Sequence, residues 1–585
     1  MYYLKLFFYQ YKTTHIILLA LVLTLGIAVR FIGLNNQFTH TDDIGVAWSI
    51  LIQTNDVYTI NYVRNKINNI SHEDYNTPQY KLLREFDESS KLEALLPYIK
   101  DIVKFIVVPQ AWTYAPFQFF FTSFLISFDH DYQSLLFWGR FPSFIFSSLA
   151  LILMAYIFMK IDIKNAFLLC VSGLLFLGFS WENIIYAKHM SNYAVGVLGI
   201  ILLFYAFIRC LNDEKSTVSF GILIGILLAI VSNMQYTIIY FMPAFFLSWL
   251  WYISEKKVNW LSIKPFFFAV ISYFIFMLPT FIVFILPQAY LNGQTFIGTL
   301  YNYNVPADVG IYGIIKYSVI FFVQNGFNVI KFITAYLPYD NDSLNIITLM
   351  IIFLALFGLI RMLFYSNIIY KNIGRFFIAS ALTIILLIIM KKVSFSPTRH
   401  SLIYLPYFVF LVAYGISEIN NFIQRKFKFN IKLITALVLV SIVLLPFFSN
   451  YSEVFAGKKD PFSEKMISNL IERYKPHYVI ASDMNLFFMN PFKKWDKHNG
   501  GERIYNIFIN PEKDGDKTYM LISQLGLNNE ICGKMISEAD GRQFNCENNE
   551  YKIIYEYDFN SNSTLDILRE AHIIYNRLSI KIIKF

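Results

Sequence analysis

Long apolar runs set the pattern of this chain, and they show no alternation of period two. The first extends from Ile16 to Leu34, and similar runs begin near residues 135, 165, 192, 217, 237, 264, 344, 375, 400 and 432. A helix needs about 20 apolar residues to cross a bilayer, so the pattern predicts about eleven transmembrane helices. A transmembrane barrel is excluded, because its strands would be short segments of alternating hydrophobicity. The first run has a second reading as a cleaved signal peptide. Its length and the lack of a small-residue cleavage site favour a retained helix.

Basic residues between the runs alternate from side to side. One side collects Lys5 and Lys12, Lys160 and Lys164, Arg209 and Lys215, Lys256, Lys257 and Lys264, Lys371 and Arg375, and Arg425, Lys426, Lys428 and Lys432. By the positive-inside rule that side is the cytoplasm. Residues 35–134, 181–191, 287–343, 391–399 and everything after 449 then face outward. Two apolar stretches are read as lying on the membrane instead of crossing it. Tyr114 to Phe128 is short and opens near a proline, which fits an interfacial helix in the outer leaflet. Ile311 to Leu337 is interrupted by Lys316 and Lys331 and reads as a juxtamembrane helix pair.

After residue 449 the pattern changes. Charged residues crowd in, and short β-rich runs (Tyr478 to Ala481, Tyr505 to Ile509, Thr518 to Ile522, Ile553 to Tyr557) alternate with helical ones near 463–474 and 564–577. The expected architecture is an all-α polytopic membrane domain over residues 1–448, whose outer loop 35–134 carries juxtamembrane helices. A soluble, extracytoplasmic α/β domain follows over 449–585, within the usual domain size range.

Composition removes the soluble alternatives. Of 585 residues 56% are hydrophobic, with 60 Phe and 40 Tyr, at a mean hydropathy of +0.48. No globular soluble chain of this length has that make-up. The net charge of +9 belongs to the cytoplasmic loops and carries no nucleic-acid message. Cys170 and Cys210 fall in or near membrane helices. Cys532 and Cys546 lie in the outer domain, where oxidation is permitted; either they remain two thiols or they close a bridge, which would contribute about 3 kcal/mol.

With only 15% of residues charged, outward-facing charges are the candidate chemistry. Asp42 and Asp43 stand just beyond the first span. One reading is helix capping, with negative charge favoured in the first turn. The other is a general base at the membrane surface. Arg140, at the outer end of the second span, either snorkels to headgroups or holds a phosphate. Trp181 to Tyr193 reads as a short polar loop between spans. Lys391, Lys392, Arg399 and His400 form a cationic outward loop against the positive-inside bias, which suits a phosphate ligand.

In this order the features resemble the integral-membrane glycosyltransferases of the GT-C type, in particular bacterial family 39 and related lipid-linked sugar transferases. The resemblance rests on Asp42 and Asp43 in the first outer loop, a proline-led interfacial helix from Pro116, and Arg140, Pro142 and Ser143 at the start of the second span. Tyr186, Ala187, Tyr193 and Ala194 follow the third span, and Arg399 and His400 precede Leu405 and Pro406. It covers residues 1 to about 420. Two positions depart from the pattern. Relatives carry an acid and an arginine in the Tyr-Ala loop, where this chain has His189 and Ser191. Transferases acting on lipid A with aminoarabinose carry Glu-Lys before the proline, where this chain has Tyr114 and Ala115.

The resemblance implies a GT-C fold in a bacterial plasma membrane, with the active site outside. It implies a polyprenyl-phosphate sugar as donor and an envelope glycan (lipopolysaccharide among them), lipid or protein as acceptor, with inversion at the anomeric carbon. Asp42 would be the general base and Asp43 would orient the acceptor, or a divalent metal if one is used. Arg399, His400, Lys391, Lys392 and Arg140 would hold the donor phosphate; Tyr114, Tyr186, Lys188, His189 and Asn192 would line the substrate site. A glycan ligase shares this architecture, and a lipid-linked glycan transporter is the more distant alternative. No Gly-rich nucleotide loop occurs, consistent with a lipid-linked donor.

Overall fold

The computed structural model describes residues 2–32, 34, 121, 122, 125, 132–190, 192–212, 217–255, 260–282, 311–335, 343–365, 367–389, 397, 399–428 and 431–451. Beyond these it describes 464–481, 496–499, 506–510, 517–523, 532, 533, 535–537, 552–560 and 577–584. Asp42, Asp43, Tyr114, Lys391, Lys392 and Cys546 lie outside them. The chain divides into two compact units. In described residues, the first holds the chain through Ile32, residues 121, 122 and 125, and Gly139 to Asn450. The second holds Leu34, residues 132–138 and the chain from Tyr451 onward.

The first unit is helical. A short α1 (Tyr2–Gln10) precedes α2 (Thr13–Phe31), α3 (Tyr132–Ile161), α4 (Ala166–Gly178), α5 (Trp181–Ala187), α6 (Tyr193–Asn212) and α7 (Val218–Met234). A 3-10 turn (Tyr236–Phe241) leads into α8 (Met242–Glu255). Then come α9 (Trp260–Thr280), α10 (Ile311–Thr334), α11 (Ser343–Tyr365) and α12 (Ile368–Ile389). A second 3-10 turn (Arg399–Tyr404) leads into α13 (Leu405–Phe427), followed by α14 (Lys432–Tyr451). Each of the eleven apolar runs read from the sequence is helical. Among the described residues, nine helices are long and apolar enough to cross a membrane, and α4 with α5 makes a tenth if the bent pair is one span. Helix α7, shorter than these, is the remaining apolar run. The architecture is that of a multi-pass membrane protein. The stretch from Ile311, expected as a helix pair, is instead one 24-residue helix. Its two lysines interrupt the hydropathy without interrupting the backbone.

These helices are apolar around most of their circumference, as lipid-facing and bundle-facing sides both require. Helix α9 shows the division: Phe267, Phe268, Ile271, Phe274, Ile275 and Phe276 turn outward, while Ala269 and Tyr273 are buried. Small residues let backbones approach. Where α11 crosses α13, a Cβ on Gly415 would collide with the Leu354 carbonyl, and one on Gly358 with the Leu411 carbonyl.

Polar contacts gather at two ends of this unit. At the near end, where α2 begins, the Tyr11 hydroxyl donates to the carbonyls of Ile163 and Lys164, at 2.9 and 2.7 Å. Lys432 Nζ donates to the Lys164 carbonyl (2.8 Å) and to Asn165 Oδ1 (3.2 Å). Arg361 pairs with Glu418 and Arg375 with Glu255. These contacts bring together the start of α2, the α3–α4 turn, the α8 end, the α12 start and the α13–α14 turn. The alternation of basic loops assigned those same segments to one side.

The second unit contains a six-stranded sheet in the order β2-β3-β1-β4-β6-β5. The strands are β1 (Tyr478–Ala481), β2 (Asp496–Asn499), β3 (Asn506–Ile509), β4 (Thr518–Ser523), β5 (Lys552–Asn560) and β6 (Arg577–Lys584), and helix α15 (Glu464–Tyr474) precedes them. Strands β1 and β4 run parallel and the other pairs antiparallel. Central β4 is buried along Thr518–Ile522. Its Tyr519 and Leu521 pack with Ile480, Ile507, Met535 and Ile583. Cys532 is buried in that core. Strands β2 and β6 were not anticipated. Asp496–Asn499 carries no apolar signal, and residue 577, expected to end a helix, opens β6.

Candidate functional site

The far end of the helical unit, where α2 finishes, is built around a broken helix. Helices α4 and α5 meet at a 68° bend. Ser180 supplies the break chemically. Its extended backbone ends α4's path, and its hydroxyl accepts from Asn183 N–H to cap α5 (3.4 Å) while donating to the Ile333 carbonyl (2.8 Å). Trp181 N–H donates to the Ala335 carbonyl at 2.9 Å, and its ring stacks on Phe447 at 4.3 Å. Every residue from Phe179 to Met190 is buried. The expected polar loop is therefore an interior half-helix, and its polar residues are core residues.

Arginine and lysine enter this interior. Arg30, in the last turn of α2, is completely buried. Its Nε donates to Ser147 Oγ (2.7 Å), Nη1 to the carbonyls of Gly26 (2.7 Å) and Gly178 (2.6 Å), and Nη2 to the Leu177 carbonyl (3.0 Å). Lys188 closes α5 and is also completely buried; its Nζ donates to the Ile32 carbonyl at 2.7 Å. Burial, reinforced by the nearby charges of Arg30 and Arg140, pushes the Lys188 ammonium down to about 7. Arg140 itself is completely buried within the unit, so its side chain is not turned out to the headgroup layer.

An aromatic chain carries the site onward from α5. The Tyr186 ring lies 5.6 Å from His189 and 5.2 Å from Tyr193, and Tyr193 meets His400 edge to face at 5.5 Å. Arg399 Nε donates to the Tyr193 hydroxyl at 2.9 Å across 206 residues of sequence. Ser143 on α3 donates to the His189 carbonyl. Of the described candidates, Tyr186, Lys188, His189, Arg399 and His400 thus share one region, with Arg140 close enough to depress the Lys188 ammonium. Asn192 is buried beside them in sequence, and its carbonyl accepts from Gly196 N–H at the start of α6. In the expected interfacial helix, Phe121 and Thr122 are helical, and Phe121 meets Phe146 of α3 edge to face at 5.5 Å.

Sequence reading missed Arg30, Ser147, Ser180 and Asn183 as parts of this region. Arg30 had a usable signal: an arginine inside an otherwise uncharged span. The other three are small polar residues whose partners are distant carbonyls, which no local pattern reveals. Glu182, buried on α5, was passed over as part of a wet turn.

The arrangement can bind an anion. Arg140 and Arg399 approach one end of the bundle, where low polarity strengthens the attraction of a cation for a phosphate, whereas the donors of Arg30 and the Lys188 ammonium are directed to protein oxygens. Among the described residues no group of three or more His, Cys, Asp or Glu is placed to share a metal ion. No family model matches the chain, and no curated protein matches it.

Proposed function

We propose that the protein is a GT-C type glycosyltransferase of a bacterial plasma membrane that moves one sugar from a polyprenyl-phosphate donor to a hydroxyl of an envelope acceptor. Asp42 takes the acceptor proton as the acceptor oxygen bonds to the anomeric carbon. The bond from that carbon to the phosphate oxygen breaks on the opposite face, giving inversion and releasing polyprenyl phosphate. Asp43 orients the acceptor. Arg399 and His400, with Lys391, Lys392 and Arg140, stabilise the charge that develops on the leaving phosphate. Tyr114, Tyr186, His189 and Asn192 line the sugar site. The reaction occurs on the outer face, where the segment 449–585 also lies as a soluble α/β domain.

The observation that carries this reading is the far-end cluster, buried at Arg140 and Tyr186–His189 and half-buried at Arg399 and His400. It joins the Arg140, Tyr186–Tyr193 and Arg399–His400 motifs, which are scattered in sequence, around a phenol that accepts from an arginine. Buried Arg140 and half-buried Arg399 and His400 at one end of a bundle suit a substrate whose charge is a phosphate and whose tail is lipid.

The test compares envelope glycans by mass spectrometry in host cells with the gene, without it, and with Asp42→Asn. Loss of a single sugar in the last two supports transfer. Loss of a whole repeat favours a glycan ligase, and retention of the lipid-linked sugar on the inner leaflet favours a transporter. Full activity of Asp42→Asn, at normal expression, removes Asp42 as the base.

A further inference from the structure

The chain is fastened to α2 on both sides of α5, at the end of α4 and at Lys188 just after α5. At the first end the 68° bend diverts Trp181 N–H to Ala335, so Leu177 and Gly178 lose the donors a continuing helix would have given them. Arg30 supplies the replacement, donating to both carbonyls, while Asn183 Nδ2 adds a second bond to Leu177 O at 2.7 Å. The same guanidinium reaches Ser147 of α3 and the Gly26 carbonyl of its own helix. Close approach makes this reach feasible: a Cβ on Gly26 would lie 3.9 Å from the Gly178 Cα. At the other end Lys188 Nζ donates at 2.7 Å to the carbonyl of Ile32, the C-cap of α2.

Arg30 and Ile32 lie two positions apart at the end of α2, and α5 lies between their two attachment points. We propose that Arg30 and Lys188 form a two-point latch that makes α5 and the end of α2 one rigid body, and that both are positioning residues. The functional half of this proposal rests on the transferase reading. Lys188 leads directly to His189, whose carbonyl Ser143 holds, and to Tyr193, which Arg399 holds. Ile32 is the point from which the chain leaves α2 toward Asp42 and Asp43. The latch thereby fixes the spacing between the origin of the acidic loop and the basic, aromatic side of the site. In this role Lys188 directs its ammonium to protein backbone, and it replaces the substrate contact expected from sequence.

Hydrogen exchange of the full chain in lipid nanodiscs tests the latch without reference to any reaction. In Lys188→Met, amides of residues 177–190 and 28–32 are expected to exchange roughly tenfold faster together, while α11 and α13 stay unchanged. Faster exchange confined to residues 186–190 overturns the latch. Arg30→Lys keeps the charge but cannot span four acceptors, and the same joint loosening is expected. Should it fail to fold, Ser147→Ala removes one acceptor of the latch and gives the same reading in milder form.

The positioning role is tested with two measurements on Lys188→Met: binding of undecaprenyl phosphate to the purified chain, and the glycosylated fraction of the acceptor in cells. Expected are affinity within about twofold of wild type and transfer lowered about tenfold, as misplacement of reacting groups predicts. A parallel fall in undecaprenyl phosphate affinity makes Lys188 a phosphate ligand and overturns the positioning role. Absence of transfer by the wild-type chain defeats the transferase reading instead, and the exchange data still decide the latch.

Discussion

The two ends of the helical unit handle positive charge in opposite ways. At the near end, the arginines meet carboxylates in part-exposed pairs, while Lys432 is the one buried cation among those contacts held by neutral oxygens. Arg375 pairs with Glu255 at 2.6 Å and lies over the Trp251 ring, and Arg361 meets Glu418 at 2.7 Å. At the far end, Arg30 is buried and its four hydrogen bonds all end on neutral oxygens. Burying a cation on neutral partners is costly, and dipoles of carbonyls and hydroxyls offset only part of that cost. The near end is fastened at little expense. The far end holds a charge whose partners are the carbonyls left open by the α4–α5 break.

Removing Arg30 should break the far end outright. Arg30→Met leaves the Gly178 carbonyl buried without its side-chain donor and takes one bond each from Ser147 Oγ and the Gly26 and Leu177 carbonyls, a loss of about 3 kcal/mol. The folded fraction recovered from membranes, followed by size-exclusion profile, is expected to collapse. Near-normal yield and thermal stability would show that the far-end charge is no more costly to lose than the near-end pairs, and the contrast would fail.

Apolar packing between the ends comes next in size. In Gly415→Leu the new side chain meets the Leu354 carbonyl, backbone of α11 that cannot rotate away. The α11–α13 crossing must open, at about 1–3 kcal/mol. A lowered thermal midpoint with intact undecaprenyl phosphate binding is expected. Loss of binding in step with stability would mean that the far end senses packing throughout the bundle and is not an independently fastened region.

How much of this was legible in the sequence follows the same division. Helix positions were readable because a membrane span is long and its apolar run has no competing explanation; even the start of α14 at Lys432 was marked by its charge. The near end was readable too, since positive-inside bias is a property of composition in loops. The far end was not, because its construction depends on one break. Nothing local in Trp181-Glu182-Asn183 separates a wet turn from a buried half-helix. The difference lies in partners on α2, α3 and α10, distant in sequence from the break. In the sheet, the edge strand β2 is polar and therefore silent, whereas β6 alternates Leu578, Ile580 and Ile582 and had a signal that the preceding helical reading masked.

Acidity sharpens the contrast further. Lys188 has an ordinary value of 10.5 that burial and its basic neighbours push down to about 7. Between these two values the unfolded chain binds a proton that the folded chain does not, so this group makes stability rise with pH across that window. Below about 7 the ammonium is charged in both states, and its contribution levels off. Thermal midpoints in nanodiscs should therefore climb from about pH 7 to about pH 9 in wild type, and the climb should be smaller in Lys188→Met. Parallel curves for the two proteins would show that burial and basic neighbours do not set the protonation of Lys188.

The smallest effect belongs to the near end, and its smallness is the point. Arg361 offers Nε and Nη2 to one oxygen of Glu418, at 3.0 and 2.7 Å, with both side chains part-exposed. Water and salt screen such a pair, and each partner alone can be solvated where it stands. A double-mutant cycle with Arg361→Ala and Glu418→Ala should give a coupling of about 1 kcal/mol or less, weakening further in high salt. Glu418 also accepts from Asn421 Nδ2 at 3.3 Å, so the arginine variant leaves the carboxylate partly satisfied. A coupling of several kcal/mol, insensitive to salt, would place this pair in the same energetic class as the Arg30 latch. The two ends would then differ in the chemistry of their partners but not in what that chemistry costs to disturb.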